Sequence, residues 1–535
     1  MKDQEITVAG TAELKDGEMK QVSAGGTNIL LARIKGNYYA MGATCTHYGA
    51  PLAQGALSGE RIICPWHHAC FNVTTGDLEE PPALDALPHF EVRVENENVI
   101  VRMPANAPDR RTPPMTKADP AADARLFVIL GGGAAGYSAA QTLREKGVRG
   151  RVLMITREDR LPYDRPNLSK DYLQGQAEPG WMPLRSDDFF NEHGIEVLLG
   201  REATSVDAQA KTVSFKGGEQ LAYDSLLVAT GSDPHTLPIA GSELKNVLTL
   251  RSFTDSDAII AAADGAKRAV VIGASFIGME AAASLKARGL EVTVVAPDQM
   301  PFRKTLGDEI GALFQKIHED NGVKFRLGAK VARISGDGKV EAVELEAGEK
   351  PEKPESIDAD LVVVGVGVKP ATDFLVGVNL HKDGGVIVDE HLRAADSLYA
   401  AGDIAWFPSA LTGQRQRIEH WRTALQQGRI AARNMTGEDV ASNNVPFFWT
   451  RQFDAGLLYV GHATSWDEII FQGEVSAQNF LAFYVKDGRV LAVAGMNRDR
   501  EMAAAEGLML AGRMPTPDRL RVGTVNLAEF LRDLK

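Results

Sequence analysis

The sequence predicts a multidomain protein with an all-β module at the N-terminus, two α/β domains on parallel sheets, and a smaller α+β module at the C-terminus. Three observations predict it. Short β runs separated by glycine turns fill the start of the chain; a strand–glycines–helix pattern occurs twice, 142 residues apart, at Gly131 and Gly273; and a proline-rich stretch separates the first module from the rest. The boundaries read as 1–103 for the β module and 104–123 for the linker. The first α/β domain takes 124–243 and 368–440, the second lies between them at 244–367, and the last module is 441–535.

Composition bounds the function before any motif does. Of the 535 residues 44% are hydrophobic and 24% charged, the balance of a globular enzyme, and a net charge of -13 argues against nucleic acid or an anionic membrane as the main partner. No apolar run is long enough to span a membrane. The opening Met-Lys-Asp-Gln-Glu-Ile lacks the apolar segment of a secretory signal, so a cytoplasmic location is expected. The three cysteines, Cys45, Cys64 and Cys70, all fall in the first module, which rules out a disulfide framework.

In that module, β runs at Ile29 to Ile34, Val92 to Val94 and Val99 to Val101 are separated by turn signals at Gly25-Gly26, Gly55, Gly59 and Gly76. Cys45-Thr46-His47 is followed after sixteen residues by Cys64-Pro65-Trp66-His67. Each loop offers one thiolate and one imidazole, and two such loops supply the two Cys and two His that a Rieske 2Fe-2S cluster takes on its two irons. Zinc is the rival, but the zinc-finger order places both cysteines before both histidines. The metal ligands are therefore read as Cys45, His47, Cys64 and His67. These loops, closing at Thr75-Gly76-Asp77, resemble a Rieske domain of the ferredoxin and oxygenase-associated kind. The respiratory kind carries an extra, disulfide-joined cysteine in each loop; here Cys70 has no partner and reads as a small buried apolar residue. His68 is expected to face solvent or a backbone carbonyl.

Pro104, Pro108, Pro113, Pro114 and Pro120 then fall among Ala, Asp, Arg and Lys, a composition that cannot pack a core. It reads as a semi-rigid tether, with the first module folding separately and docking on the α/β body behind it.

Phe127 to Gly136 reads as a buried strand breaking into glycines and a helix. Gly131 permits the tight turn, Gly133 lets phosphates approach the backbone, and Gly136 lets helix pack on strand, so a pyrophosphate meets the helix N-terminus. A second run, Arg151 to Ile155, leads to Glu158, placed to hold a ribose hydroxyl. The pattern recurs at Gly273, Ser275 and Gly278, with a small serine as the middle residue, and is read as the nicotinamide dinucleotide site. After the strand Val292 to Val295, Asp298 is expected to hold the adenosine ribose and favour NADH, while Arg303 and Lys304 close behind argue for NADPH, the less favoured coenzyme.

Leu161 to Lys170 lacks the cysteine pair that disulfide-using flavoenzymes would carry there, so electrons cannot leave by dithiol exchange. The stretch resembles apoptosis-inducing factor and the reductases of bacterial oxygenase systems. That resemblance implies FAD contacts from Arg165 and Lys170, and a Lys170–Glu280 ion pair beside the isoalloxazine as the catalytic pair. It also implies cofactor contacts from Thr230 and Gly231, Arg251, Gly367, Asp403 at the end of its strand, Glu419 and His420, and Trp449 at the ring. In relatives the last module caps the flavin and contributes to dimerisation. Over nearly its whole length the chain is similar to the Rieske-containing apoptosis-inducing-factor-like proteins.

The expected function is electron transfer from NADH through FAD to the built-in Rieske cluster and on to an acceptor, a small molecule or a redox protein, that the sequence does not identify. A monomer or homodimer is expected. Two alternatives stand: an interaction protein that changes oligomeric state in response to NADH, and an NADH oxidase forming peroxide.

Overall fold

The computed structural model describes residues 3–346 and 355–534; Met1 and Lys2 of the opening hexapeptide, and 347–354 within the second α/β domain, lie outside the described residues. The N-terminal module is two antiparallel sheets. The larger has six strands in the order Gln4–Gly10, Asn98–Met103, His89–Glu95, Asn37–Gly42, Thr27–Ile34, Glu18–Ala24; the smaller holds Ala56–Ser58, Arg61–Ile63, Cys70–Asn72 and Leu78–Glu80. The loops that carry the expected metal ligands follow the strand Asn37–Gly42 and the strand Arg61–Ile63 of the smaller sheet.

The first α/β domain centres on Leu126–Leu130, whose last four residues are buried because helices or other layers cover both faces of a parallel sheet. It pairs in parallel with Arg151–Ile155 on one side and with Ser225–Val228 on the other. The chain leaves, builds a second parallel sheet in the order Val247–Thr249, Leu361–Val364, Arg268–Ile272, Glu291–Ala296, Lys324–Leu327, and returns to lay Leu398–Ala400 beside Ser225–Val228. The last module is a five-stranded antiparallel sheet, Phe447–Gln452 through Arg489–Met496, with the helix Asp499–Leu510 packed on it.

Close backbone approach explains the glycines. At Gly131 (φ +121°) an added Cβ would sit 2.1 Å from the Ala229 carbonyl oxygen, and at Gly136 it would sit 1.9 Å from that of Gly131. Gly428, on the return helix Trp421–Met435, would meet the Ala135 carbonyl oxygen at 2.2 Å, so two helices cross backbone to backbone. At Gly133 nothing lies within 4 Å, which leaves the start of the helix Ala134–Glu145 open.

Two expectations need correction. Asp403 does not end a strand: the strand stops at Ala400 and Gly402 (φ +81°) turns the chain into a short 3-10 turn that carries Asp403. Nor does the N-terminal module fold as a separate unit, although it docks on the rest of the chain as expected. Its Ala56, Ile63 and Cys70 belong to one core with Phe447, Leu481, Met502 and Leu527 of the last module. The linker is unburied from 104 to 123 but strapped down, with Thr116 N donating to Arg144 O and Asp119 N to Arg149 O. A shared core holds the module where a proline-rich tether alone would let it move.

Gly136→Ala is expected to destabilise the first α/β domain by about 1–3 kcal/mol or more, the cost of overpacking against an unyielding carbonyl. Thermal unfolding measures it; a melting temperature equal to the native one would refute the close-approach argument.

Candidate functional site

The N-terminal donors sit in two loops closed by backbone bonds, Cys45 N to Ala50 O at 2.8 Å and Cys64 N to Ala69 O at 2.9 Å. Both thiols are buried. The neighbouring Cys64 thiol pushes Cys45 well up; Cys64, despite burial, is held below its ordinary value by Cys45 and the backbone N–H groups of Trp66 and His67. The imidazoles meet with Nδ1 to Nδ1 at 3.1 Å. Burial lowers His47 to about 3 and His67 well below its usual value, so both are neutral, the form that binds metal. Thiol beside thiol and imidazole beside imidazole fits two irons with two ligands each.

His68 does not face solvent. Its ring is wholly buried, stacks on Phe447 at 4.0 Å, and places Nδ1 2.6 Å from Glu506 Oε2. The residue has φ +58°, and its ring enters the last module on Phe447, two residues before the Trp449 that the His67 ring meets.

The first glycine loop opens onto a helix that has no side-chain N-cap, so its leading N–H groups are free for phosphate. Around it, Arg165 Nη2 donates to Glu158 Oε1 at 2.8 Å and Tyr163 Oη to Glu158 Oε2 at 2.6 Å. Burial opposes ionisation of Glu158, but Arg165 and Tyr163 outweigh it and hold the carboxyl below its usual range. Arg165 Nη1 also reaches Arg251 O at 2.7 Å, and Arg251 Nη2 pairs with Asp403 Oδ2 at 2.6 Å, close to Gly231. Thr230 Oγ1 donates to Ala371 O at 2.7 Å. Glu419 keeps an exposed carboxylate on Arg417. His420 stands at the start of the return helix against Phe448, and its buried Nδ1 has no hydrogen-bond partner among the described residues. That orphan atom, the free helix end and the open space at Gly133 suit a bound FAD.

Glu280 is 3% exposed and receives Lys170 Nζ at 2.7 Å, Ser169 Oγ at 2.5 Å and Thr450 Oγ1 at 2.7 Å. The ion pair is thus present, with two hydroxyl donors that sequence reading did not single out. Trp449, next to Thr450 in the strand Phe447–Gln452, has its ring 4.5 Å from that of His67. Tyr48, beside His47, donates its hydroxyl to Asp164. No local signal marked Tyr48, Asp164 or Thr450, because their partners are 110 or more residues distant.

In the second α/β domain Gly273 (φ +113°) would bring a Cβ to 2.3 Å from the Gly365 carbonyl oxygen, and Gly278 would do the same to that of Gly273. Ser275 turns its hydroxyl onto Gly365 O at 2.9 Å, so the helix Phe276–Ala287 also begins without a side-chain cap. Gly367 has φ +99°. Asp298 follows the strand Glu291–Ala296 and is already paired with Lys304 Nζ at 2.7 Å. Both line an open cleft of about 740 Å³ with Arg303, Gln299 and, from the last module, Trp466.

Comparison with known proteins agrees with this arrangement. Residues 126–428 match the family model described as pyridine nucleotide-disulphide oxidoreductase, residues 4–91 a Rieske [2Fe-2S] domain, and residues 447–531 a reductase C-terminal domain. The human protein named apoptosis-inducing factor 3 is 39% identical over 520 residues, covering 95% of this chain and 84% of its own. The ferredoxin--NAD(+) reductase component of the anthranilate 1,2-dioxygenase system of Burkholderia cepacia is 32% identical, covering 76% of this chain and 99% of its own. Among solved structures, the covalent putidaredoxin reductase-putidaredoxin complex aligns with a TM-score of 0.71 at 31% identity, over 76% of this chain and 98% of that one.

Burial holds His318 to about 4 and His420 to about 3, whereas the unfolded chain takes up protons on both near pH 6.5. Stability complete above pH 6.5 is therefore lost as pH falls, at up to about 1.4 kcal/mol per pH unit for each histidine. Denaturant unfolding of His318→Gln between pH 7 and pH 5 should show a slope shallower by about one proton. An unchanged slope would mean that His318 is protonated in the fold.

Proposed function

The chain belongs to the pyridine nucleotide-disulphide oxidoreductase family, with a Rieske domain in front and a reductase C-terminal domain behind, and from that premise we propose that it carries electrons from NADH to its own iron-sulfur centre and on to a separate acceptor. It is an NAD(P)H-dependent oxidoreductase of ferredoxin-reductase type that binds FAD, NAD(P)H and a 2Fe-2S cluster. Bound FAD supplies hydride acceptance and the change from two-electron to one-electron transfer, and the cluster supplies a one-electron outlet. The relatives' printed names, a ferredoxin reductase and a reductase bound to putidaredoxin, support a redox protein as the acceptor.

The chain's own residues position these partners. Gly131, Gly133, Gly136 and the uncapped helix end hold the flavin pyrophosphate, Glu158 with Arg165 its ribose side, and Arg251 with Asp403 the stretch near Gly231. Thr230, beside the Gly131 turn, borders the ligand through its backbone, and Glu419 and His420 border the ring. Gly273, Ser275, Gly278 and Gly367 shape the nicotinamide coenzyme site. Lys170, held by Glu280, is the cation we assign to positioning the reactants for hydride transfer. Cys45, His47, Cys64 and His67 hold the irons. The observation that carries the intramolecular route is the position of the His67 ring, 4.5 Å from that of Trp449, whose neighbour Thr450 binds the carboxylate paired with Lys170.

Anaerobic stopped-flow mixing with NADH tests it: flavin absorbance falls first, cluster absorbance second, and the second rate is independent of protein concentration. A second rate proportional to concentration, or a cluster that stays oxidised, overturns the route. Lys170→Met should slow flavin reduction by about tenfold to a hundredfold while FAD content is kept. A native rate would remove Lys170 from the mechanism.

Asp298 is the residue we assign to the adenosine ribose and to NADH preference, with Lys304 tempering it. Lys304→Ala should raise KM for NADPH by about tenfold, the worth of one charged contact, and change that for NADH far less. An equal change for both coenzymes would place Lys304 outside the ribose site.

A further inference from the structure

The junction of the three modules holds a buried polar seam that the electron-transfer reading does not use. Glu506, on the helix Asp499–Leu510, accepts from Arg422 Nη2 at 2.7 Å and lies 2.6 Å from His68 Nδ1. Arg422, on the return helix Trp421–Met435, is 0% exposed and also donates to Pro81 O at 2.9 Å. Glu80 takes Gln426 Nε2 at 2.8 Å and Asn444 Nδ2 at 3.1 Å, and Arg61 pairs with Glu79 at 2.9 Å. The other ligand loop has a counterpart. Thr46 Oγ1 donates to Asp85 O at 2.6 Å, and the Asp85 carboxylate pairs with Arg185 at 2.7 Å.

Stability is a poor reason for such a seam. Desolvating an arginine and a glutamate together is costly, and Arg422 Nη1 and His68 Nε2 have no partner among the described residues. An apolar junction would bind at least as well; what directional bonds add is a single orientation. The apolar part of the junction, Ala56, Ile63 and Cys70 against Phe447 and Met502, would tolerate sliding, whereas the Glu506 fork would not.

We propose that Glu506 and Arg422 are positioning residues: they grip His68, the neighbour of the ligand His67, and so fix the His67 ring against Trp449 at one distance from the flavin site. The Asp85–Arg185 pair does the same for the loop of His47. This rests on the intramolecular route and adds the device that holds it in register.

The test uses the cluster- and flavin-loaded full chain with Glu506→Gln, which keeps volume, and Glu506→Asp, which keeps charge. In Glu506→Gln the dithionite-reduced cluster signal is retained and flavin reduction by NADH is native, while cluster reduction slows by about tenfold or more, the effect of a misplaced reacting group. Backbone deuterium uptake in residues 64–72, read without NADH, rises in Glu506→Gln and returns towards native in Glu506→Asp. Native uptake together with a native cluster-reduction rate in Glu506→Gln overturns the proposal. Should Glu506→Gln fail to fold, Arg422→Lys, which keeps charge but loses the fork, is read by the same two measurements. If the native cluster never takes electrons from NADH, the intramolecular route is wrong, and deuterium uptake alone decides whether the seam holds the loop.

Discussion

Glu280 has a carboxylate in a place where water cannot serve it, and everything around it is arranged to supply what water would. A buried carboxylate persists only when its oxygens are hydrogen-bonded, and here the donors come from two other domains: Lys170 and Ser169 from the first α/β domain, Thr450 from the last module. Ser284, one turn further along the same helix, donates to Ser169 O at 2.7 Å and ties that helix down a second time. Side chains alternate along a strand. With Thr450 turned to Glu280, its neighbour Trp449 must turn the other way, and there it meets His67. The contact between Trp449 and His67 is a geometric consequence of pairing one carboxylate.

The same reasoning explains why the N-terminal module is fixed. A carrier that swings needs an interface it can leave, small and without buried charge. This one shares an apolar core with the last module and buries an arginine–glutamate pair at its edge. Undocking would expose that core and leave charges to be resolvated one by one. With no cysteine pair in Leu161–Lys170, a thiol route is closed as well. The chain is built so that the one-electron centre stays where its neighbours hold it.

What could be read in the sequence was whatever chemistry depends on residues close together along the chain. Gly131, Gly136, Gly273 and Gly278 were legible because a side chain at any of them would collide with a carbonyl a few residues away in the motif or on the adjoining strand. The Rieske module was legible because Cys45-Thr46-His47 and Cys64-Pro65-Trp66-His67 each pair one thiolate with one imidazole, and two irons need two like donors each. Strands came through where apolar runs were long enough, as at Arg151–Ile155, whose bounds match. Asp403 was placed at a strand end because an apolar run conceals where a glycine with positive φ will turn the chain. That Asp298 follows its strand was legible, but its pairing with Lys304 was not, since a charge six residues away is as compatible with solvent as with a salt bridge.

His68 marks the limit most sharply. Judged beside its neighbours it is a polar residue after a metal ligand, and solvent is the ordinary place for one. Its partner Glu506 is 438 residues away, on a helix whose sequence, Asp-Arg-Glu-Met-Ala-Ala-Ala-Glu, offers several carboxylates of which Glu506 is one. Nothing periodic distinguishes that glutamate from the exposed acids of an ordinary helix. The choice is made by the fold: the helix packs its Ala503, Ala504 and Leu508 into the shared core, and a residue on that buried face must either be apolar or bring its partners with it. Arg422 and His68 are those partners, and each was hidden for the same reason, that a buried ion pair is a property of two surfaces brought together and of neither sequence alone.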